Sequence, residues 1–260
     1  MMLKVATWNV NSLKIRLPQL LDWLYTQQPD ILALQETKIT DPCFPKLHIS
    51  AAGYQVVFSG QKAYNGVATL SRLPASDVAT GMPGLEDPQR RVLGATIGGI
   101  RVLNIYIPNG QIIGSEKYSY KLSWLDKLYS WITMELSCHR WLFLIGDFNI
   151  APEDRDVSNP ISSDERIFCS SPERFAFQQL IKLGLRDTFR IFPQKEQSFS
   201  WWDYRSAAFH RNLGMRIDHI LASQELADVC ISCYIDESQR RLARPSDHAP
   251  VVSEFDFRLY

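Results

Sequence analysis

Acidic residues that follow apolar runs are the part of this sequence best suited to chemistry. Glu36 and Asp147 each follow such a run within two residues. Asp247 and His248 stand side by side just before the last run, and an acid–imidazole pair can move protons near neutral pH. Several carboxylates that face one cleft would repel one another unless a cation neutralised them. The combination therefore indicates a site for a hard divalent metal such as Mg²⁺.

Each of these positions has a simpler explanation when it is considered alone. Asn and Asp favour turns, so an acid such as Asp147 after a strand is common in ordinary loops. Residues at strand ends are, however, where sandwich and α/β folds place their clefts, and here many polar residues share that location. The candidate positions are Asn9, Asn11, Gln35, Glu36, Tyr106, Asp147, Asn149, Asp218, His219, Asp247 and His248.

Other common active sites lack their sequence signatures in this chain. There is no G-x-S-x-G motif, which argues against a serine hydrolase using Asp247 and His248. There is also no H-E-x-x-H and no G-x-x-x-x-G-K-[ST], which argues against a zinc peptidase and a P-loop. The remaining carboxylates, amides, tyrosine and histidine suit metal-assisted attack of water on a phosphodiester.

The composition is that of an ordinary soluble globular protein, with 45% hydrophobic and 22% charged residues. Lys and Arg number 28 together, as do Asp and Glu, so a polyanionic partner would be held by local basic patches. No stretch approaches the roughly 18 to 20 apolar residues of a membrane span. The stretch MMLKVATWNV lacks the apolar region of a secretory signal, and we expect no membrane partner.

The five cysteines are odd in number and scattered, which favours a reducing cytoplasm over a disulfide framework. Cys230 and Cys233 form a CxxC match, but a zinc site would need a second Cys/His pair at short spacing. A redox motif would need a neighbouring helix start, whereas LADVCISCYI is strand-like. We expect these two residues to be packed in a strand.

The periodicity of the sequence predicts the elements that must hold the polar residues. Apolar residues recur at helical spacing from Leu17, and Pro18 suits a first helical turn. Further helices are predicted over 115–136 and 171–184, and the irregular stretch 151–170 is the longest predicted loop. Strand-like runs lie at 3–7, 31–34, 54–58, 66–71, 91–97, 100–107, 141–145, 199–202, 216–222, 229–235 and 250–257.

The order of these elements predicts the fold class. About ten strands, with few helices between the later ones, indicate a mixed α/β sandwich of two sheets. A purely parallel doubly wound sheet fits less well, because the last strands lie too close together for helical crossovers. Neither a repeat nor a Gly/Ser-rich linker divides the chain. We therefore expect residues 1–260 to form a single domain, and the protein to be a monomer.

A set of motifs in chain order carries a resemblance to a known family. They are WNVNSL, LALQETK, YNGVATLS, NIYIPNG, GDFNIAP, DTFR, SFSWWDYR, GMRIDHIL and PSDHAPV. They closely resemble the exonuclease III family of AP endonucleases, within the larger endonuclease/exonuclease/phosphatase superfamily. The match runs from Ala6 to Val251, and DYRS…GMRID resembles the bacterial exonuclease III branch in particular.

The resemblance implies a fold, a cofactor and a substrate. The fold is a four-layer α/β sandwich, in which two mixed β-sheets pack face to face and are flanked by helices. The cofactor is Mg²⁺ or Mn²⁺, and the partner is double-stranded DNA with abasic sites or damaged 3′ ends. The implied activities are cleavage 5′ to abasic sites, 3′-to-5′ exonuclease action and 3′-phosphatase action, all of them in DNA repair.

The resemblance also implies roles for the residues at strand ends. Glu36 would be a metal ligand, with Asn11 and Asp247 beside it. Asp147 would activate or position the attacking water, and His248 would meet the scissile phosphate. The other implied roles are alignment of the histidine by Asp218, orientation of water or phosphate by Asn149, phosphate contacts by Tyr106 and Asn109, and a place in the metal and water network for Asn9.

Substrate selection would depend on a different set of residues. Trp201 and Ile217 match positions that line a pocket for a flipped abasic sugar, and Met215 stands where some relatives have tryptophan. Core packing is the alternative for Trp201 and for Trp202. The candidates for contacts with the DNA backbone or groove, each of which could instead belong to a solvated charged face, are Lys62, Tyr64, Arg90, Arg91, Arg205 and Arg211.

Two alternative functions remain open at this point. A phosphodiesterase of the same superfamily that acts on RNA or on a lipid phosphate could share the metal site. The motifs YNGVA and SFSWWDYR argue against it, because they match the DNA-facing part of the resemblance. A non-catalytic DNA-binding relative is the other alternative, and it would be expected to have lost metal ligands, which this chain has not.

Overall fold

The structure is a computed structural model that describes residues 2–159 and 166–259. The strands are β1 (Met2–Asn9), β2 (Ile31–Gln35), β3 (Gln55–Ser59), β4 (Val67–Ser71), β5 (Ala75–Thr80), β6 (Val92–Ile97), β7 (Ile100–Tyr106), β8 (Leu142–Asp147), β9 (Arg186–Asp187), β10 (Trp201–Trp202), β11 (Gly214–Met215), β12 (Asp218–Ala222), β13 (Cys230–Ile235) and β14 (Val251–Asp256). The helices are α1 (Leu13–Gln27), α2 (Lys46–Ala51), α3 (Glu116–Cys138), α4 (Ser171–Lys182), α5 (Thr188–Ile191) and α6 (Gln224–Ala227).

The strands form two mixed sheets. The first six-stranded sheet has the order β13-β14-β1-β2-β4-β3, and the second has the order β5-β6-β7-β8-β12-β9. In each sheet one central pair is parallel, β1 with β2 and β7 with β8, while the other pairs are antiparallel. A parallel pair needs a long crossover, which α1 and α3 supply. The carboxyl ends of the parallel strands carry the polar residues of the site.

A core of apolar side chains fills the space between the two sheets. Val5 and Ala33 from the first sheet pack with Val102 and Ile145 from the second, and all four are buried. Each sheet also buries its outer face against helices, so that Trp23 of α1 covers the first sheet. The predicted mixed α/β sandwich with four layers is confirmed.

One polar contact crosses this core close to the site. The Gln35 amide donates to Asn104 Oδ1 at 2.8 Å, and Asn104 donates in turn to the backbone oxygen of Ala68 at 2.9 Å. Gln35 and Asn104 are fully buried, so each hydrogen bond satisfies a group that would otherwise be costly to bury. The contact fixes β2 against β7 just before the strands end at the site.

Two elements differ from the sequence prediction. Helix α1 begins at Leu13, so Pro18 lies inside it and not in its first turn. The buried Leu13 side chain extends the apolar face, and the helix tolerates one missing hydrogen bond at the proline. Strand β5 was not predicted, because it is an edge strand of mostly exposed residues without apolar alternation, and it pairs only with β6 among the described strands.

The CISC segment and the long loop can also be placed. Cys230 and Cys233 lie in β13 as predicted, and burial raises the pKa of Cys233 to about 11. In the part of the chain that the structure describes, the cysteines are free thiols. Of the predicted loop 151–170, residues 160–165 lie outside the described residues, and the rest includes a short 3-10 turn at Asp154–Asp156. Among the described helices, none has the length and apolarity to cross a membrane.

Candidate active site

The strand ends of both sheets meet at one edge of the sandwich, and Asn9 joins them. Its amide nitrogen lies 2.9 Å from Glu36 Oε1, in the first sheet, and 2.9 Å from Asp147 Oδ2, in the second. Asn9 is fully buried at the end of β1, so its side chain is held in place. The structure thus brings Asn9, Glu36 and Asp147 together, whereas two other predicted residues lie in the core. Gln35 bonds to Asn104 there, and His219 is buried with Nε2 2.9 Å from the Ile150 backbone oxygen.

The local backbone turns the site residues into the cleft. Asn11, Glu36 and Asn149 have positive φ angles of 41°, 52° and 50°. Asparagine tolerates this left-handed conformation, but glutamate adopts it less readily. Such strain often accompanies function, and here it directs the Glu36 carboxylate towards Asn9.

A positive charge already lies among the candidate metal ligands. The Lys38 ammonium is 2.8 Å from Glu36 Oε2 and 2.5 Å from Asn11 Oδ1. Asn11 donates from its nitrogen to Asp247 Oδ1 at 2.8 Å. Oxygen donors that surround an ammonium in this way also suit a hard divalent cation. The donor set of Glu36 and Asn11, with Asp247 bonded to Asn11, therefore fits a group that would hold a hard divalent metal.

The electrostatics at this position keep both carboxylates ionised. Burial would raise the pKa of Glu36, but the Lys38 ammonium and the Asn9 hydrogen bond outweigh burial and lower it. Burial would likewise raise the pKa of Asp247, but the charge on His248 and the hydrogen bonds to its carboxylate lower it. Ionised carboxylates are the form that binds a metal.

His248 is fixed by Asp218 through one ring nitrogen. Its Nδ1 lies 2.9 Å from Asp218 Oδ2 and 3.1 Å from Oδ1, with both residues buried. Asp218 is held in turn by the Ser200 hydroxyl, which donates to Oδ2 at 2.6 Å. Because Nδ1–H donates to the carboxylate, Nε2 faces the cleft. The predicted alignment of His248 by Asp218 agrees with these distances.

Asp147 and His248 form a coupled pair across the cleft. Asp147 Oδ2 and His248 Nε2 are 3.8 Å apart. Burial raises the pKa of Asp147, and the Asp218 carboxylate adds to that effect against the charge on His248. Burial would lower the pKa of His248, but Asp218 and Asp147 raise it. A cationic imidazole between two carboxylates can donate a proton, and Asp147 can receive one.

The carboxylates of Glu36 and Asp147 and the ring of His248 place ligand atoms within 4.8 Å of one another. This set differs from the predicted one, Glu36 with Asn11 and Asp247. A protonated imidazole has no lone pair for a metal, and hard cations prefer oxygen. The oxygen donors therefore fit a hard cation better than the His248 ring does.

Two further predicted residues complete the centre. Tyr106 donates its hydroxyl to Glu36 Oε1 at 2.9 Å, and burial, followed by the Glu36 and Asp147 charges, raises its pKa well above the usual value. It therefore stays a neutral donor at physiological pH. Asn149 donates its backbone N–H to Asp147 Oδ1 at 2.9 Å, and its side chain donates to the Ile107 oxygen at 2.9 Å.

The residues of the predicted abasic pocket form a packed wall beside Asp247, a candidate metal ligand. Met215 and Ile217 are buried, and Trp201 is half-buried with its indole N–H 3.0 Å from Asp247 Oδ2. The Phe168 ring meets the Trp201 ring edge-on, at 6.1 Å between centroids. Trp201 thus links the wall to Asp247. Trp202 is fully buried in a separate cluster, so core packing explains it.

The predicted DNA-contacting residues lie around the cleft or outside it. A cleft of about 390 Å³ beside the centre is lined by residues that include Tyr64, Arg91 and Asn109. The Arg91 guanidinium lies over the Tyr106 ring, 4.6 Å from its centroid, so this residue also supports Tyr106. The remaining candidates are exposed, and they are Lys62, Arg90, Arg205 and Arg211. Of these, Arg205 pairs with Asp203 at 2.6 Å.

Sequence reasoning missed two residues of the site. Lys38 lies within the motif LALQETK, and a lysine two positions after a candidate ligand is a signal that could have identified it. Ser200 holds Asp218 and also accepts hydrogen bonds from the backbone N–H groups of Ile217 and Asp218 at 3.1 Å each. A serine before a tryptophan carries no such signal in sequence.

Clustered carboxylates that could hold a cation, beside a histidine aligned by a further carboxylate, are typical of hydrolases that act on phosphate esters. A model of the Endonuclease/Exonuclease/phosphatase family matches residues 6–248, and the chain belongs to this family. It is a nuclease hydrolase, as the resemblance implied.

Relatives of known structure and sequence agree with this assignment. Exodeoxyribonuclease III of Haemophilus influenzae is 36% identical over 97% of this chain and 100% of its own. A structure of the 3′ phosphatase NExo from Neisseria, bound to a product DNA hairpin, has a TM-score of 0.96 and 47% identity, over 98% of this chain and 100% of the other. An AP endonuclease from Archaeoglobus fulgidus has a TM-score of 0.94 and 40% identity, over 98% of this chain and 99% of its own.

Proposed function

We propose that this protein is a Mg²⁺- or Mn²⁺-dependent phosphodiesterase of double-stranded DNA that acts 5′ to abasic sites and at damaged 3′ ends. The observation that carries the proposal is that one cleft holds both a set of candidate metal ligands and an acid–imidazole pair. Glu36 lies beside Asn11 and Asp247, where a cation fits, while Asp147 lies 3.8 Å from a His248 held by Asp218. That arrangement suits the attack of water on a phosphate.

Each residue has a defined task in this reaction. Asp147 takes a proton from the attacking water, and the Asn149 backbone N–H holds its carboxylate in position. His248 donates a hydrogen bond or a proton to the phosphate from Nε2, because Asp218 engages Nδ1. Tyr106 and Asn109 contact phosphate oxygens. A bound divalent metal would neutralise the phosphate charge and assist the leaving oxygen.

DNA is the favoured substrate because relatives over nearly the whole chain act on it by name. Exodeoxyribonuclease III, the 3′ phosphatase NExo and an AP endonuclease share 36 to 47% of their residues with this chain. A formal net charge of zero requires local contacts, which the exposed side chains of Lys62, Arg90 and Arg211 would supply. The free thiols in the described residues suit the reducing cytoplasm that we propose as its compartment.

A second candidate function, which uses the same chemistry, is the processing of 3′ ends of DNA. Its support is the name of the Neisseria relative, a 3′ phosphatase that is 47% identical to this chain and matches 98% of it.

The test uses purified protein on five matched substrates. They are DNA duplexes with an internal abasic site, a 3′-phosphate at a nick, a recessed 3′-hydroxyl or no lesion, and an RNA duplex of the same sequence. We expect Mg²⁺-dependent products from the first three DNA substrates and little from the intact and RNA duplexes. Hydrolysis of RNA without hydrolysis of DNA, or DNA binding without products, would contradict the proposal.

A further inference from the structure

A lysine is buried behind the cleft, outside the set of residues that meets the substrate. Lys121 lies in α3 with a side chain that is 0% exposed, and it pairs with the equally buried Glu173 of α4. Its ammonium also donates to the backbone oxygen of Asn149 at 2.7 Å and of Asn109 at 3.4 Å. These three acceptors use the three N–H groups of the ammonium.

The two carbonyl groups belong to the two loops that complete the centre. One loop follows β7 and carries Asn109, and the other follows β8 and carries Asn149. In the second loop the Asn149 N–H fixes Asp147, and its side chain reaches back to the Ile107 oxygen of the first loop. A single ammonium thus holds both loops from behind, 2.7 Å from one and 3.4 Å from the other.

Glu173 has a separate structural task, which explains why the ion pair is rigid. Its second carboxylate oxygen accepts from the backbone N–H of Ser170 at 3.0 Å and from the Ser170 hydroxyl at 2.7 Å. This capping box begins helix α4. The Lys121 ammonium is therefore paired with a carboxylate that is itself fixed at the start of a helix. A buried ion pair contributes little net stability on average, so we assign this pair a role in geometry.

We propose that Lys121 is a positioning residue, which holds the Asn109 and Asn149 loops in register and thereby sets the orientation of Asp147. The inference rests on the proposed function, since orientation of Asp147 matters only if it handles the attacking water. Lys121 itself contacts neither phosphate nor metal ligand. Its loss should therefore lower turnover while leaving the affinity for DNA nearly unchanged.

The same two elements provide a matched control. Arg101 of β7 pairs with Glu135 of α3, at 2.9 Å between Nε and Oε2, and both side chains are nearly buried. This pair joins β7 to α3 where the strand begins, whereas Lys121 acts where the strand has ended. A general effect of removing a buried ion pair from these elements should appear in both variants.

The experiment compares neutralised pairs. Lys121→Met alone leaves the Glu173 charge buried without a partner and is expected to lower Tm sharply. Lys121→Met/Glu173→Gln removes both charges, so Tm should recover much of the loss. We expect kcat of this double variant to stay roughly 10- to 100-fold below the wild type, with KM for DNA within about twofold. Arg101→Met/Glu135→Gln should keep wild-type kcat.

A second readout is independent of activity. Amide hydrogen exchange should become faster in peptides that cover 107–112 and 147–151 in Lys121→Met/Glu173→Gln, and not in the control variant. Wild-type kcat in a folded double variant, an equal fall of kcat in the control, or unchanged exchange in both loops would overturn the role of Lys121. If the wild type cleaves no DNA, the proposed function fails, and the exchange result alone then decides whether Lys121 holds the loops.

Discussion

The chemical centre and the wall beside it are built in different ways. The centre takes Asn9, Glu36 and Asp147 from the carboxyl ends of strands in both sheets, where hydrogen bonds of 2.9 Å hold the side chains. The wall takes Trp201 from a two-stranded sheet outside the two large ones, and packs it against Phe168 from a loop. Strands inside a sheet are more rigid than loops and short edges.

This difference teaches which property each region controls. Rigid strand ends fix the distances on which proton transfer and metal binding depend, so changes there should lower turnover. Trp201 and Met215 lie outside the strands that carry those ends, so changes in the wall should alter which DNA is cleaved. The regions are linked by the hydrogen bond from the Trp201 indole to Asp247 at 3.0 Å and by backbone contacts such as that of Phe148 N–H with the Ile217 oxygen at 2.9 Å. Variants in each region can test this separation.

The largest effect is expected from Asp147→Asn. An amide cannot take the proton of the attacking water, so kcat should fall by about 10³-fold or more, with DNA binding nearly unchanged. Asp126→Asn, on the exposed surface of α3, is the control and should be neutral. Single-turnover cleavage and fluorescence anisotropy measure the two quantities. Turnover near that of the wild type would remove Asp147 from the chemical centre.

A smaller loss of kcat is expected when His248 loses the carboxylate that aligns it. Asp218→Ala removes the partner of His248 Nδ1, and kcat should fall by about 10²-fold. Ser200→Ala keeps the carboxylate but removes the 2.6 Å hydrogen bond that holds it, and its effect should be weaker. Steady-state kinetics on one substrate rank the variants. A larger loss in Ser200→Ala than in Asp218→Ala would contradict this order of dependence.

Substitutions in the wall should alter the preference for abasic over intact DNA more than they alter turnover. Trp201→Ala removes the packing surface for a bare sugar, so we expect the ratio of abasic to intact cleavage to fall roughly 10-fold. Trp201→Phe keeps a ring but loses the hydrogen bond to Asp247, and it should keep most of the preference. Trp141→Ala, a half-buried tryptophan at the far edge, is the control. An unchanged ratio in folded Trp201→Ala would refute the pocket assignment.

The smallest effect concerns the salt dependence of binding. Arg90 is exposed beside the cleft, and loss of one phosphate contact should reduce the slope of log affinity against log salt by about 0.9. Arg140→Ala is the control, because Arg140 lies before β8, away from the site, and pairs with Glu225. Binding titrations at several salt concentrations measure the slopes. Equal slopes for Arg90→Ala and the wild type would place the DNA elsewhere.

Sequence alone predicted the residues of the chemical centre better than the buried residues that hold them in place. Acids and amides at strand ends are visible as breaks in apolar runs, so Glu36, Asp147 and the Asp247–His248 pair could be found. Lys121 was invisible, because a lysine in an amphipathic helix normally faces water. Its burial depends on Glu173, which lies 52 positions away in the chain. Long-range pairing of this kind has no local pattern.

The prediction of strands and helices was limited in the same way, because some of them depend on contacts that are distant in sequence. The central strands β1, β2, β7 and β8 are buried and apolar, so their runs were read correctly. Strand β5 consists mostly of exposed residues, and only its pairing with β6 makes it a strand. The start of α1 depended on the burial of Leu13 and not on a capping residue, since Ser12 makes no side-chain cap.

Metal dependence tests the central claim most directly. Protein stripped with EDTA should not cleave abasic or 3′-phosphate duplexes, and Mg²⁺ or Mn²⁺ should restore cleavage, because a cation is needed beside Glu36, Asn11 and Asp247. Glu36→Gln should need a higher Mg²⁺ concentration for half-maximal activity, by roughly 10-fold or more. Full cleavage by the stripped wild type, or an unchanged Mg²⁺ requirement in a folded Glu36→Gln, would contradict the account.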